Sequence, residues 1–378
     1  YNMIYLDYCS TTPVDEQVVN TMRKIDLEVF GNPSSIHQFG QKAKAIIESS
    51  RKDIGSILDC SSDEIIFTSS GTEANNLVLW DVFQKGGKHI IISNIEHPCI
   101  SKTCSVLRRF GVKITKIPVD QNGIIKISEL KKSINKNTAL VSVMLVNNEI
   151  GTIQPIQEII KICNLKKILF HTDAIQAFGK IDLNFKKNKP DMASFSAHKI
   201  YGPKGVGALY IKKGIKLNPL IYGGSQEMQI RAGTENLSGI AGFGLAAKLA
   251  NENLKNDSIK LNKLTDKLKK DIFSNIENVK ILCNSSNQIP GFISLELSGV
   301  SANDLLIKLD IDGFGISTGA ACSSGVNKTS SVLSAIGLDQ KSASSVIRIS
   351  LGRYTNESDL NSFVDSLSKN VKKIRYEK

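Results

Sequence analysis

"SFSAHKIYGPKGVGALYIKKG", residues 194–214, decides the fold. Small and apolar residues lead into Ser196, His198 and Lys199. Gly202, Pro203 and Gly205 then break the backbone before a second apolar run at 206–212. The pattern predicts a strand, a tight crossing and another strand. A lysine fixed at a strand's end suits carbonyl chemistry, because its neutral amine forms a Schiff base once burial or nearby cations favour that form. Most lysines of so lysine-rich a chain are solvated surface groups, so Lys199 gains meaning only from its surroundings.

Around this segment, β-branched and apolar runs alternate with helical stretches. Predicted strands are 64–68, 88–93, 139–146, 167–173, 192–196 and 206–212; predicted helices include 34–58 and 236–255. Several strands are too continuously apolar for a half-exposed sheet, so helices are expected on both faces. Beyond about residue 250 a Lys- and Asn-rich amphipathic helix carries Leu261, Leu264, Leu268 and Ile272 at core-packing spacing. "GFISLEL", "SANDLLIKLDID" and "SVIRISLG" follow and read as a small α/β domain. The expected division is a large domain at 13–250 and a small one from 1–12 and 251–378.

The other predicted strand ends carry chemistry. "FTSSGTEANN" places Ser70, Gly71 and Thr72 at a strand-to-helix turn, where free amides and hydroxyls serve either as an ordinary helix cap or as a phosphate site. "NIEHPCI" supplies His97, "LVNNEIG" supplies Asn147 and Asn148, and "FHTDAIQ" supplies Asp173 and Gln176. Ligands of open α/β sheets bind outside the carboxyl ends of the strands. A phosphate cradle, carboxylate, imidazole, amide and lysine gathered there complement pyridoxal 5'-phosphate.

Composition narrows the class. The 378 residues are 41% hydrophobic, enough for a large core. No apolar run approaches the roughly 18 residues of a membrane span, and "YNMIYLDYCSTTP" lacks the layout of a secretory signal; the cytoplasm is the default expectation, with an organelle as the alternative. The net charge of +12 arises from lysines spread over many segments, without the aromatic-studded basic block that binds single strands, so direct nucleic-acid binding is not expected. Seven scattered cysteines without C-x-x-C spacing argue against a metal knuckle or a disulfide framework. Only Cys322, in "GFGISTGAACSSG" (313–325), has neighbours too small to bury a thiol.

"LDYCSTTP", "GNPSSIHQFG", "TSSGTEANN", "EHPCI", "VNNEIG", "HTDAIQAFGK", "SFSAHKIYGPKG", "RAGTEN", "STGAACSSG" and "IRISLGRYT" together resemble the cysteine desulfurases of the NifS/IscS type. These belong to the class-V aminotransferase group with the α/β architecture of fold-type I pyridoxal-phosphate enzymes, a large domain with a mostly parallel seven-stranded sheet and a small α/β domain. The resemblance runs from about residue 4 to about residue 365.

It implies that Lys199 carries the cofactor and moves protons, that Asp173 pairs with the pyridine nitrogen, and that His97 stacks on the ring. Gln176 would reach the phenolic oxygen. Thr72, Ser196 and His198, with the Gly71 backbone, would hold the phosphate. Asn148, beside the cofactor, and Arg348 would bind the substrate. Thr234 would reach the phosphate of a partner subunit, implying a homodimer. Cys322, on a mobile loop at about 315–330, would take sulfur from L-cysteine as a persulfide, leaving L-alanine, and pass it to an acceptor protein. Cys322 and Arg348 lie 26 positions apart, as in the long-loop desulfurases.

The sequence departs from the family at Met228 and Gln229, where Arg and Gly are usual, and at Cys9, where a small or amide residue is common. Two rival readings are a selenocysteine lyase or aminotransferase of the same group, and a non-catalytic protein of this fold that binds nucleic acid through its charge.

Overall fold

A computed structural model describes residues 3–183, 185, 188–284, 287–318 and 330–376. Its strands are β1 (Ile4–Tyr5), β2 (Ile65–Thr68), β3 (His89–Ser93), β4 (Lys113–Ile117), β5 (Thr138–Ser142), β6 (Leu169–Asp173), β7 (Met192–Ser196), β8 (Gly207–Ile211), β9 (Val279–Ile281), β10 (Phe292–Leu297), β11 (Phe314–Gly315), β12 (Ser317–Thr318) and β13 (Val346–Ser350). The longer helices are α1 (Glu16–Glu28), α2 (Gln38–Ile57), α3 (Gly71–Gln84) and α4 (Pro98–Arg109), then α5 (Ile127–Ser133), α6 (Ile156–Lys166) and α7 (Leu237–Asn275). After them come α8 (Ala302–Ile311), α9 (Ser331–Ala335), α10 (Gln340–Ala343) and α11 (Glu357–Tyr376).

The central sheet has seven strands in the order β2-β8-β7-β6-β5-β3-β4. Pairs among β7, β6, β5, β3 and β4 are parallel, and β8 runs antiparallel to both neighbours. Alternation along the strands shows that both faces are covered. Ile65 and Phe67, Ile91, Ala193 and Phe195, and Ala208 and Tyr210 enter one core. Ile66, Ile90 and Ile92, Met192, and Leu209 and Ile211 enter the other. A second sheet, β12-β13-β10-β9, packs with α8, α11 and the end of α7 around Leu268, Leu295, Ile349 and Phe363.

Three elements differ from the sequence reading. The strand expected at 139–146 ends at Ser142, although Val143 and Leu145 still donate to the carbonyls of His171 and Asp173. Its apolar continuation is buried loop, which periodicity does not separate from strand. The helix expected at 236–255 and the Lys/Asn-rich one after it are a single 39-residue helix, α7. No Gly or Pro follows Gly244 until the helix has ended, so nothing stops it. Ala246, Ala247 and Ala250 pack into the core of the central sheet, whereas Leu264, Leu268 and Ile272 pack under the second sheet. The expected division at residue 250 therefore falls inside one helix. Strand β4, "KITKI", was not anticipated; it is the sheet's edge strand, paired with β3 on one side, and its lysines guard the open edge.

Candidate active site

The carboxyl ends of β7, β6, β5, β3 and β2 open onto a cavity of about 260 Å³. Gly71, Thr72, His97, Asn148, Asp173, Gln176, Ser196, His198, Lys199 and Arg348 all line it. Thr234 does not; it is exposed in the loop before α7. Cys322 lies outside the described residues.

At the β2 end, Ser70 caps α3 by accepting from the Glu73 amide, which leaves the first amides of the helix facing the cavity's end. Close packing demands glycine twice here. A Cβ on Gly71 would sit 2.0 Å from Ile175 Cδ1, and one on Gly207 of β8 would sit 2.6 Å from the Ser70 carbonyl carbon and 2.9 Å from the Gly71 nitrogen. Gly207 thus lets the turn lie flat across the sheet.

Lys199 ends the short 3-10 turn that follows β7. Its Nζ donates to the carbonyl oxygens of Cys9 (2.6 Å) and Ser10 (2.7 Å). Burial, reinforced by the positive charge of Lys180, lowers the pKa of Lys199 to about 8. Tyr201, in the left-handed region at φ 65°, turns the chain away, and its amide donates to Thr12 Oγ1.

Asp173 is buried at the tip of β6, and burial raises its pKa, an effect opposed by His97 and by two hydrogen bonds. Asn75 Nδ2 donates to Oδ2 at 2.7 Å and the Ile175 amide to Oδ1 at 3.0 Å. His97 caps α4: the Cys99 amide donates to its Nδ1, so the ring proton of the neutral imidazole belongs on Nε2. Desolvation lowers the His97 pKa, and burial with Lys199 lowers that of His198 to about 4, so both rings are neutral near pH 7.

Arg348, on β13, donates through Nη1 to the Asn148 carbonyl and through Nη2 to Asp7 and Ser10, each at 2.7 Å. Its Nε is buried without a hydrogen-bond partner among the described residues. A carboxylate is the natural acceptor for such a guanidinium.

Sequence reasoning passed over Cys9, Ser10, Cys99, Met144, Glu149 and Ile175 as lining. Cys99 touches both Asn75 Nδ2 (3.1 Å) and His97 Nδ1 (3.0 Å), and burial together with Asp173 pushes its thiol up to about 12. It is therefore not the thiolate of the site. Spacing alone gave a signal for Cys99, which lies two residues after His97 on a helix start.

Fold and lining together define an α/β enzyme organised around a strand-end lysine. The aminotransferase class-V family signature matches residues 4–363. A relative named cysteine desulfurase IscS, from Dictyoglomus turgidum, is 45% identical over 375 residues, covering 98% of this chain and 95% of its own. A solved NifS-like protein is 36% identical with a TM-score of 0.92 over 98% of this chain and 99% of its own. A further solved structure, SspA in complex with cysteine, is 33% identical with a TM-score of 0.82 over 93% and 99%. The chain belongs to the class-V aminotransferase family, among its cysteine desulfurases.

Proposed function

We propose that the cavity binds pyridoxal 5'-phosphate beside L-cysteine and that the protein is a cysteine desulfurase, releasing L-alanine and leaving sulfur as a persulfide on Cys322. The observation that carries the reading is the convergence of Lys199, Asp173, His97 and the α3 amides on one cavity.

The residues present fit the cofactor. Gly71 and Thr72 at the start of α3, with Ser196 and His198, form a donor set for its phosphate. Asp173, held by Asn75 and Ile175, suits a protonated pyridine nitrogen, and Gln176 offers an amide to the phenolic oxygen. The bound cofactor supplies an electron sink that weakens the Cβ–S bond of the substrate.

Residues of the chain do the rest. Lys199, with its depressed pKa, is available as a neutral amine that would hold the cofactor's aldehyde and carry a proton to and from the substrate's α-carbon side. Arg348 and Asn148 hold the substrate carboxylate. The Cys322 thiolate attacks the substrate sulfur; an S–S bond forms as the Cβ–S bond breaks, its electron pair stays on carbon, and a proton completes the methyl group of alanine. No external oxidant is needed.

The same reading carries a homodimer in which Thr234 reaches the partner's phosphate site, a division into domains at 13–250 and 1–12 with 251–378, and a cytoplasmic setting. Among the described residues no helix is long and apolar enough to cross a membrane. The sulfur would pass to an acceptor protein for iron–sulfur cluster assembly, tRNA thiolation or DNA phosphorothioation. The test is single-turnover feeding of L-cysteine followed by mass spectrometry. One added sulfur on Cys322 with stoichiometric alanine is expected; Cys322→Ala keeps the cofactor's absorbance and makes no persulfide. Keto-acid-dependent amino transfer without sulfur release would replace this reading with an aminotransferase.

A further inference from the structure

Behind the main cavity, a smaller one of about 40 Å³ is lined by Cys9, Lys180 and Lys199, among others. Two buried-side lysines at one place call for an explanation. Lys180 closes the turn that follows β6, four residues after Gln176. Gly179, at φ 68°, lets that turn press on the lysine's own segment: a Cβ there would meet Ile200 Cγ2 at 2.9 Å.

A continuous hydrogen-bonded path joins the two lysines. Lys180 Nζ donates to Gln176 Oε1 at 2.9 Å. Gln176 Nε2 donates to the Cys9 carbonyl at 2.8 Å, and the same oxygen accepts from Lys199 Nζ at 2.6 Å. An ammonium group has donors only, so Lys180 fixes which end of the Gln176 amide is oxygen. The NH2 end must then face Cys9 and Lys199.

We propose that Lys180 is a positioning residue of the site, which orients the Gln176 amide and sets a second positive charge beside the Lys199 amine. Two neighbouring cations destabilise each other's charged form, a general means of priming an amine nucleophile. The lowered pKa of Lys199 agrees with this placement, with burial the larger cause and Lys180 next. Other charged groups also face Lys199. Arg348 acts in the same direction as Lys180, and Cys9 and Asp7 oppose it. Lys199 in turn acts on His97, His198 and Asp173 across the cavity. Burial lowers the pKa of Lys180 itself, with Cys9 opposing that and Arg348 adding to it, and Lys180 also acts on His198.

The proposal rests on the reading of Lys199 as the cofactor-binding amine, and its test separates the two. The full chain, stripped of cofactor, is labelled with acetic anhydride across a pH series, and Lys199 is followed by peptide mass spectrometry with exposed Lys166 as internal standard. Lys180→Met should slow Lys199 labelling near pH 7 roughly threefold, as a rise of about half a unit in its pKa requires. Lys180→Gln, which keeps a donor for Gln176 without the charge, should slow it equally, and Lys180→Arg should restore it. Equal Lys199 labelling in the wild type, Lys180→Met and Lys180→Gln overturns the proposal while leaving the lysine reading intact. Wild-type Lys199 labelling no earlier than Lys166 overturns both. Thermal melts of each variant show whether the comparison is between folded chains; Lys180→Gln carries it if Lys180→Met is unstable.

Discussion

Asn75 donates a 2.7 Å hydrogen bond to Asp173, joining the second turn of α3 to the tip of β6. The helix whose first amides face the cavity therefore also braces the carboxylate at the cavity's other end. Asn75 is fully buried, and its Oδ1 has no partner among the described residues, so the side chain is held for its donor. The proposed phosphate and pyridine sites are spaced by one rigid element.

Asn75→Ala removes that donor and lets burial raise the Asp173 pKa further. The bond to a buried carboxylate is worth about 1–3 kcal/mol, so pyridoxal phosphate should bind roughly tenfold more weakly. Absorbance titration of the cofactor-free protein measures it. An unchanged affinity would remove Asn75 from the account.

Gly207→Ala should act on the phosphate end alone. The added methyl would press on the backbone of Ser70 and Gly71, which cannot yield as a side-chain tip would. Overpacking of this kind costs about 1–3 kcal/mol. Affinity for pyridoxal phosphate should fall while that for pyridoxal, which lacks the phosphate, holds. Equal losses for both ligands would show that the turn does not serve the phosphate.

His171 gives the chain an acid limit. It is buried between Ser142 and Ser194, 2.9 Å from each hydroxyl, and burial lowers its pKa from 6.5 to about 3. A base with a depressed folded-state pKa binds more protons when unfolded. Its stability is complete above pH 6.5 and is lost as the pH falls toward 3, by about 1.4 kcal/mol per unit. Urea melts between pH 7 and 4 should show a shallower slope for His171→Gln than for the wild type. Parallel slopes would contradict the assignment.

Gln229, where the resemblance implies glycine, has a φ of 66°, next to Glu227 at 45° and Met228 at 56°. Such backbone persists only where neighbours over-determine it. Here the buried Glu227 carboxylate takes two 2.8 Å bonds from Arg51 and a third, of 2.7 Å, from the Phe67 amide. Gln229→Gly should relieve about 1 kcal/mol, read as a higher urea midpoint. A lower midpoint would mean that the Gln229 side chain itself stabilises the turn.

Much of the site was legible because strand ends are marked twice, by where an apolar run stops and by the polar residue that stops it. The places of Asp173, Ser196 and Lys199 follow from that rule, as does the strand-to-helix turn at Gly71. Groups that act through the backbone were not legible. The carbonyls of Cys9 and Ser10 hold Lys199, yet any residue type could present them. Asn75, Asp7 and Glu227 were also missed, because each meets its partner only after distant segments pack. The single helix α7 was misread as two because its apolar stripe changes partners midway, from one core to another.

The most direct measurement is borohydride reduction of the yellow holoenzyme followed by peptide mapping. The account predicts the pyridoxyl group on Lys199, none on Lys180, and loss of the label in Lys199→Ala. A pyridoxyl group on any other lysine of the wild type, or one retained by Lys199→Ala, would contradict it.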